Sequence, residues 1–228
     1  MLICDLNGLP GSGKTTLTNN VVKVLKNENI VVATREDLFN DLYSDNKFLK
    51  NIIALLNINQ LRVNILIIKI AIKNKLTLDS MKWTRGLILL LYLIYKAKIN
   101  SCYHILILDE GIVQYLTSIA HDKNMYRSNN YDLIFNWLNS TFSEDIIVNC
   151  NLGFTENIRR LVERRCGSKR FDFNTIWNIE EILEIKDKNL KFCRAGLSKI
   201  HTIELDMNKP LNYNTINLAN FLRTITNK

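Results

Sequence analysis

The sequence predicts an α/β fold, a three-layer α/β/α arrangement of the P-loop kind, and three observations carry that expectation. Five short apolar runs read as buried parallel strands. Stretches with helical periodicity lie between most of them, so the alternation is β-α-β-α. A glycine-rich turn joins the first run to the first helix.

Taken in order, the runs are Leu2–Leu6, Ile30–Thr34, His104–Leu108, Asp145–Cys150 and Ile200–Leu205. The first crossover helix follows Gly13, with Leu17, Val21, Val22 and Leu25 at helical spacing. Residues 37 to 98 read as mostly helical, including Leu61–Lys73 and Met81–Lys98. That is too long for one crossover and predicts a helical insertion at about 37–100, or a pair of long helices on one face of the sheet. Leu61–Lys73 and Leu87–Tyr95 are apolar on more than one face, which fits core, a dimer interface or an apolar substrate pocket. Thr155 reads as an N-cap, with Glu156 to Cys166 as the helix and Gly167 ending it. The last helix follows Pro210 and carries Ile216, Leu218, Phe221, Leu222 and Ile225. No repeat or linker interrupts the chain, so residues 1–228 are expected to form one domain.

Composition bounds the function classes. With 47% hydrophobic and 23% charged residues among 228, the chain can bury an ordinary core. A formal net charge of +8 and a pI near 9.2 fit an anionic partner. No basic run is interleaved with aromatics, which argues against nucleic acid as that partner. The cysteines, Cys4, Cys102, Cys150, Cys166 and Cys193, lack CxxC spacing and read as free thiols. The three histidines are scattered, so a zinc site is not expected. The longest apolar stretch, Leu87 to Tyr95, is too short to cross a bilayer, and no leader fits ahead of the first strand. The expectation is a cytoplasmic protein without a membrane partner, with a homodimer left open.

Gly8-Leu9-Pro10-Gly11-Ser12-Gly13-Lys14-Thr15 matches G-x-x-x-x-G-K-[ST] at every defined position. Chance would produce the pattern in about one chain of this length in a hundred, before its strand and helix flanks are considered. Gly8, Gly11 and Gly13 let the backbone wrap tightly enough to aim N–H groups at phosphate oxygens. Pro10, Ser12 and Thr16 complete the predicted cradle, and the helix start adds its positive dipole end. Lys14 would bring an ammonium to the β- and γ-phosphates, and Thr15 a magnesium-binding hydroxyl. ATP and Mg2+ are the expected ligands.

The third run ends in Asp109-Glu110-Gly111. After a P-loop, an acid at this place orients the magnesium shell, which assigns Asp109 to the metal beside Thr15. Glu110 is then available as a base or as an acceptor contact. Between Arg159 and Arg170 lie six cations, Arg159, Arg160, Arg164, Arg165, Lys169 and Arg170, against one acid, Glu163. A helix C-terminus attracts such charge by itself. Six exceed that need, and their place after the fourth strand suits a lid closing over a transferred phosphoryl group. Arg165 and Arg170 are the expected catalytic arginines, with Lys169, Arg160 and Arg164 contacting substrate.

The P-loop, Thr34-Arg35-Glu36-Asp37, Asp109-Glu110, the arginine-rich helix and the last strand ending Ile203-Glu204-Leu205-Asp206 occur in one order. That order resembles the nucleoside and nucleotide kinases, thymidylate kinases among them. The resemblance implies a five-stranded parallel sheet of order 2-3-1-4-5, a lid at about 159–175 and an acceptor pocket opposite the P-loop. It implies a small-molecule phosphoryl acceptor, approached by Arg35 and Glu36, and adenine near Met207 to Leu211. The bland reading of Thr34 to Asp37 is a cap on the next helix, and both readings stand. Asp-Glu-Gly replaces the Asp-Arg or Glu-Arg pair of those kinases and leaves the acceptor open. A P-loop ATPase in which Glu110 activates water, and an ATP-binding protein associated with nucleic acid, are the competing functions.

Overall fold

The computed structural model describes residues 1–43, 47–74, 77–100, 103–120, 129–163 and 176–226. Its strands are β1 (Leu2–Asn7), β2 (Val32–Thr34), β3 (Ile105–Leu108), β4 (Ile146–Asn151) and β5 (His201–Asp206). All neighbours pair in parallel, in the order β2-β3-β1-β4-β5. This is the order the resemblance implied, with strand ends shifted by a residue or two from the apolar runs.

Helices cover both faces, which is why the strands are continuous in Ile, Val and Leu instead of alternating with polar residues. α1 (Lys14–Lys26) and α10 (Leu211–Thr226) pack together on one face. There Leu17, Val21 and Leu25 meet Cys4 and Leu6 of β1 with Leu218 and Leu222 of α10. Ile3, on the opposite side of the same strand, belongs to the larger core. That core is shared by α2 (Arg35–Tyr43), α3 (Lys47–Leu56), α4 (Leu61–Lys73), α5 (Leu78–Asn100), α6 (Ile112–Ile119), α7 (Asn129–Thr141), α8 (Phe154–Glu163) and α9 (Ile176–Gly196).

Residues 35–100 contribute four of these helices. Within α5 every residue from Leu87 to Ile94 is buried, so its apolarity on several faces is explained by neighbours on several faces. α4 differs: Val63, Asn64, Leu66, Ile67, Ile70 and Ala71 face inward, while Leu61, Ile65 and Ile72 stay exposed. Among the described residues, no single helix is long and apolar enough to cross a membrane.

Local chemistry sets several boundaries. The Thr34 hydroxyl accepts the Asp37 N–H at 3.2 Å, and the Asp37 carboxylate accepts the Thr34 N–H at 2.8 Å. This reciprocal cap starts α2 at Arg35. Thr155 lies inside α8, one residue after its start, and is not its cap; the Asn157 N–H already bonds the Gly153 carbonyl. Asp145 precedes β4, where it accepts the Ile3 N–H at 2.8 Å and pairs with Lys98. Cys4, Cys150 and Cys193 are free and buried, and burial raises each thiol's pKa.

Candidate functional site

Beyond the carboxyl ends of β1, β2 and β3 lie the loop, Arg35 with Glu36, and Asp109 with Glu110, which the sequence singled out. Between Asn7 and α1 the chain turns through Gly11 at φ 87° and Gly13 at φ 91°, a left-handed conformation costly for any other residue type. Gly8 is needed for a different reason. A Cβ there would stand 2.6 Å from the Cys150 carbonyl oxygen of β4. Gly13 caps α1 without any side-chain hydrogen bond, leaving the first N–H groups of the helix for another acceptor.

Lys14 is nearly buried, and its ammonium donates to the carbonyls of Gly8 at 2.8 Å and Leu9 at 3.1 Å. Burial lowers its pKa, while the nearby Cys150, Glu110 and Asp109 oppose that shift. Next to it the Thr15 hydroxyl donates to the Asp109 carboxylate at 2.8 Å. Two oxygen donors from residues 94 apart in the chain thus share one spot beside the loop. Oxygen-only ligands at a phosphate cradle suit a hard divalent cation such as magnesium. No cluster of three or more His, Cys, Asp or Glu with metal-holding geometry occurs among the described residues.

Glu110 turns away from this pair toward α2. The Arg35 guanidinium sits 3.3 Å from its carboxylate and donates to the Tyr115 hydroxyl at 3.1 Å. Tyr115 is held by α5: its ring meets Trp83 edge-on, 5.4 Å between centroids, and a Cβ on Gly86 would strike it at 2.4 Å. Arg35, Glu110, Trp83 and Tyr115 therefore form one connected group, and Glu36, next to Arg35 in sequence, is exposed. Tyr115 carries no motif, so its place here was not legible in the sequence.

The two arginines at the predicted lid's beginning have different surroundings. Arg159 is held by Glu156 at 2.6 Å and by Glu163. Arg160 bonds Glu156 at 2.9 Å, and its guanidinium lies 3.8 Å from the position a Cβ would take on Gly13. Both arginines hold the Glu156 carboxyl at about 2. From across the loop the Met207 methyl approaches the same Gly13 position at 3.4 Å. Arg164, Arg165, Lys169 and Arg170 lie outside the described residues.

Two further features escaped the motif reading. Asp5 is buried under the start of α6, where its carboxylate accepts the Val113 N–H at 3.2 Å. Burial raises its pKa to about 7, against the pull of the Val113 and Ile112 N–H groups and of Lys14. Gly111 is required by this contact, since a Cβ there would lie 2.1 Å from the Asp5 oxygen. At the loop's other side Asn7 donates to Asn149, and Asn149 and Asn151 both donate to Glu204 of β5 at 2.5 Å.

No protein-family model and no curated protein matches the chain. Solved structures do. Deoxyadenosine kinase from M. mycoides with the products dCMP and a flexible dCDP is 15% identical, with a TM-score of 0.51, covering 98% of this chain and 100% of that one. The same kinase with dATP is 14% identical at a TM-score of 0.52, covering 97% and 100%. The chain has a P-loop kinase fold. Lys14, Thr15 and Asp109 lie together beyond the carboxyl ends of β1 and β3.

Proposed function

We propose that the protein is an ATP- and magnesium-dependent phosphotransferase acting on a small molecule, a nucleoside or nucleotide before others. The observation that supports it most is the loop itself: left-handed Gly11 and Gly13, an uncapped helix start, and Thr15 bonded to Asp109 in one place. The nucleotides bound by the structurally similar kinase favour a nucleoside or nucleotide acceptor.

In this reading the α1 N–H groups and Lys14 hold the phosphate tail of ATP. Lys14 leaves the Gly8 and Leu9 carbonyls to reach the β- and γ-phosphates. Magnesium, held through Thr15 and Asp109, would neutralise charge on the phosphate oxygens. Arg160, beside Gly13, is placed to meet the transferred group, with Arg164, Arg165, Lys169 and Arg170 proposed to close from the lid. The acceptor lies against Arg35, Glu36, Trp83 and Tyr115. Glu110 takes the acceptor's proton once its Arg35 partner is drawn onto substrate. The rate comes mostly from positioning and charge.

The test is phosphoryl transfer from ATP with magnesium to a panel of nucleosides, nucleotides and sugars. Transfer to one class of acceptor is expected. Acceptor-independent phosphate release that collapses in Glu110→Gln would make the protein an ATPase instead.

A further inference from the structure

Positive charge and exposed aliphatic side chains coincide in one part of this molecule. Residues 47–100 contain ten Lys and Arg and a single acid, Asp79, so this stretch alone exceeds the chain's net +8. The remainder, with 20 basic and 21 acidic residues, is close to neutral. The same stretch holds eleven of the fifteen exposed large hydrophobic residues among the described ones. Ile58 is 84% exposed, Leu78 87%, Leu56 63% and Ile72 59%.

α4 organises these side chains. At about 100° per residue, Leu61, Ile65, Ile68 and Ile72 fall within about 60° of one another. Val63, Ile67 and Ile70 occupy the inward face and are buried. Arg62, Lys69 and Lys73 line one flank of the outer stripe, and none has an ion pair among the described residues. In sequence, the exposed Ile58 precedes the helix and the exposed Leu78 begins α5 after it.

This surface calls for an occupant that is anionic and also takes up aliphatic chains. A second copy would set one cationic flank against another, because the stretch holds almost no acid. Nucleic acid would satisfy the lysines and arginines, but it offers nothing to exposed isoleucine, and none of the stretch's exposed large hydrophobics among the described residues is aromatic. A bilayer interface containing anionic phospholipid meets both requirements: aliphatic side chains enter the acyl boundary while basic ones meet the headgroups. We propose that α4 is a lipid-docking helix, lying flat on an anionic phospholipid surface with Leu61, Ile65 and Ile72 inserted and the preceding Ile58 beside them. The attachment is peripheral and leaves the phosphate loop's chemistry unchanged.

The experiment uses the full chain and vesicles of phosphatidylcholine alone or with phosphatidylserine, read by cosedimentation at low and high salt. Partition into phosphatidylserine vesicles is expected at low salt, with little into phosphatidylcholine alone. Arg62→Gln with Lys69→Gln should lower it at least roughly tenfold. Ile58→Ser with Ile65→Ser and Ile72→Ser should lower it comparably, with melting temperature and Mg-ATP binding unchanged. The proposal is overturned if the folded protein ignores phosphatidylserine vesicles, or if the serine variant partitions as well as the parent. It is equally overturned if the serine variant's only effect is to dissolve a dimer, or if an acidic amphipathic peptide binds the stripe while vesicles do not.

Discussion

The phosphate loop and α4 are both built on apolar segments with lysines nearby, yet they use those lysines in opposite ways. Lys14 is drawn inward onto the Gly8 and Leu9 carbonyls, where burial lowers its pKa. Lys69 and Lys73 stand in solvent beside uncovered isoleucines. A buried cation needs a specific partner, because leaving water is costly unless hydrogen bonds replace the lost hydration. An exposed cation needs none and contributes to a field instead. Position within the fold, more than residue type, separates a reactive site from a surface.

Substitutions can break or sharpen that contrast. Lys14→Ala should reduce phosphoryl transfer at least roughly 100-fold, measured as kcat/KM, while thermal stability changes little. Equal activity would remove the loop from the chemistry. Within the insertion, Leu90→Ala, at a fully buried position of α5, should cost about 2–5 kcal/mol in urea unfolding.

Asp5 lies just beneath the loop and should make its stability depend on pH. Its folded pKa, about 7, stands above the ordinary 3.8, so between about pH 4 and 7 the folded state keeps a proton that the unfolded state has released. Stability therefore falls as pH rises through that window, by up to roughly 4 kcal/mol. Asp5→Asn should flatten the slope and raise the melting temperature at pH 8; an unchanged profile would mean that the carboxyl is solvated. Thr34→Ala removes the reciprocal cap of α2 and should cost about 1 kcal/mol. The smallest effect belongs to the outer stripe. Ile65→Ser should stay within about 0.5 kcal/mol of the parent, since the side chain is already exposed.

The same contrast explains what could be read without coordinates. Strands buried on both faces announce themselves as apolar runs, and a phosphate loop requires glycines at fixed offsets, so both are local signals. The pairing of Thr15 with Asp109 joins two such signals at the ends of neighbouring strands. Tyr115 and Asp5 have no local signature, because their placement depends on Gly86 and Gly111 letting them approach. Arg159 and Arg160 are adjacent in sequence, yet only Arg160 is placed against Gly13, a distinction that needs the helix's orientation. Leu61–Lys73 is apolar on several faces, and periodicity cannot say which of them a neighbour covers. The structure covers one and leaves the other open.

The central strand has an implication for how the chain assembles. β1 has no hydrogen-bonded neighbour nearby in sequence: Leu2 aligns with Ile105, and Cys4 with Ile146. During synthesis it must wait, unpaired, while the four helices of residues 35–100 emerge and form their own short-range contacts. Maturation of the phosphate loop is thus a late event, timed by the arrival of β3 and β4.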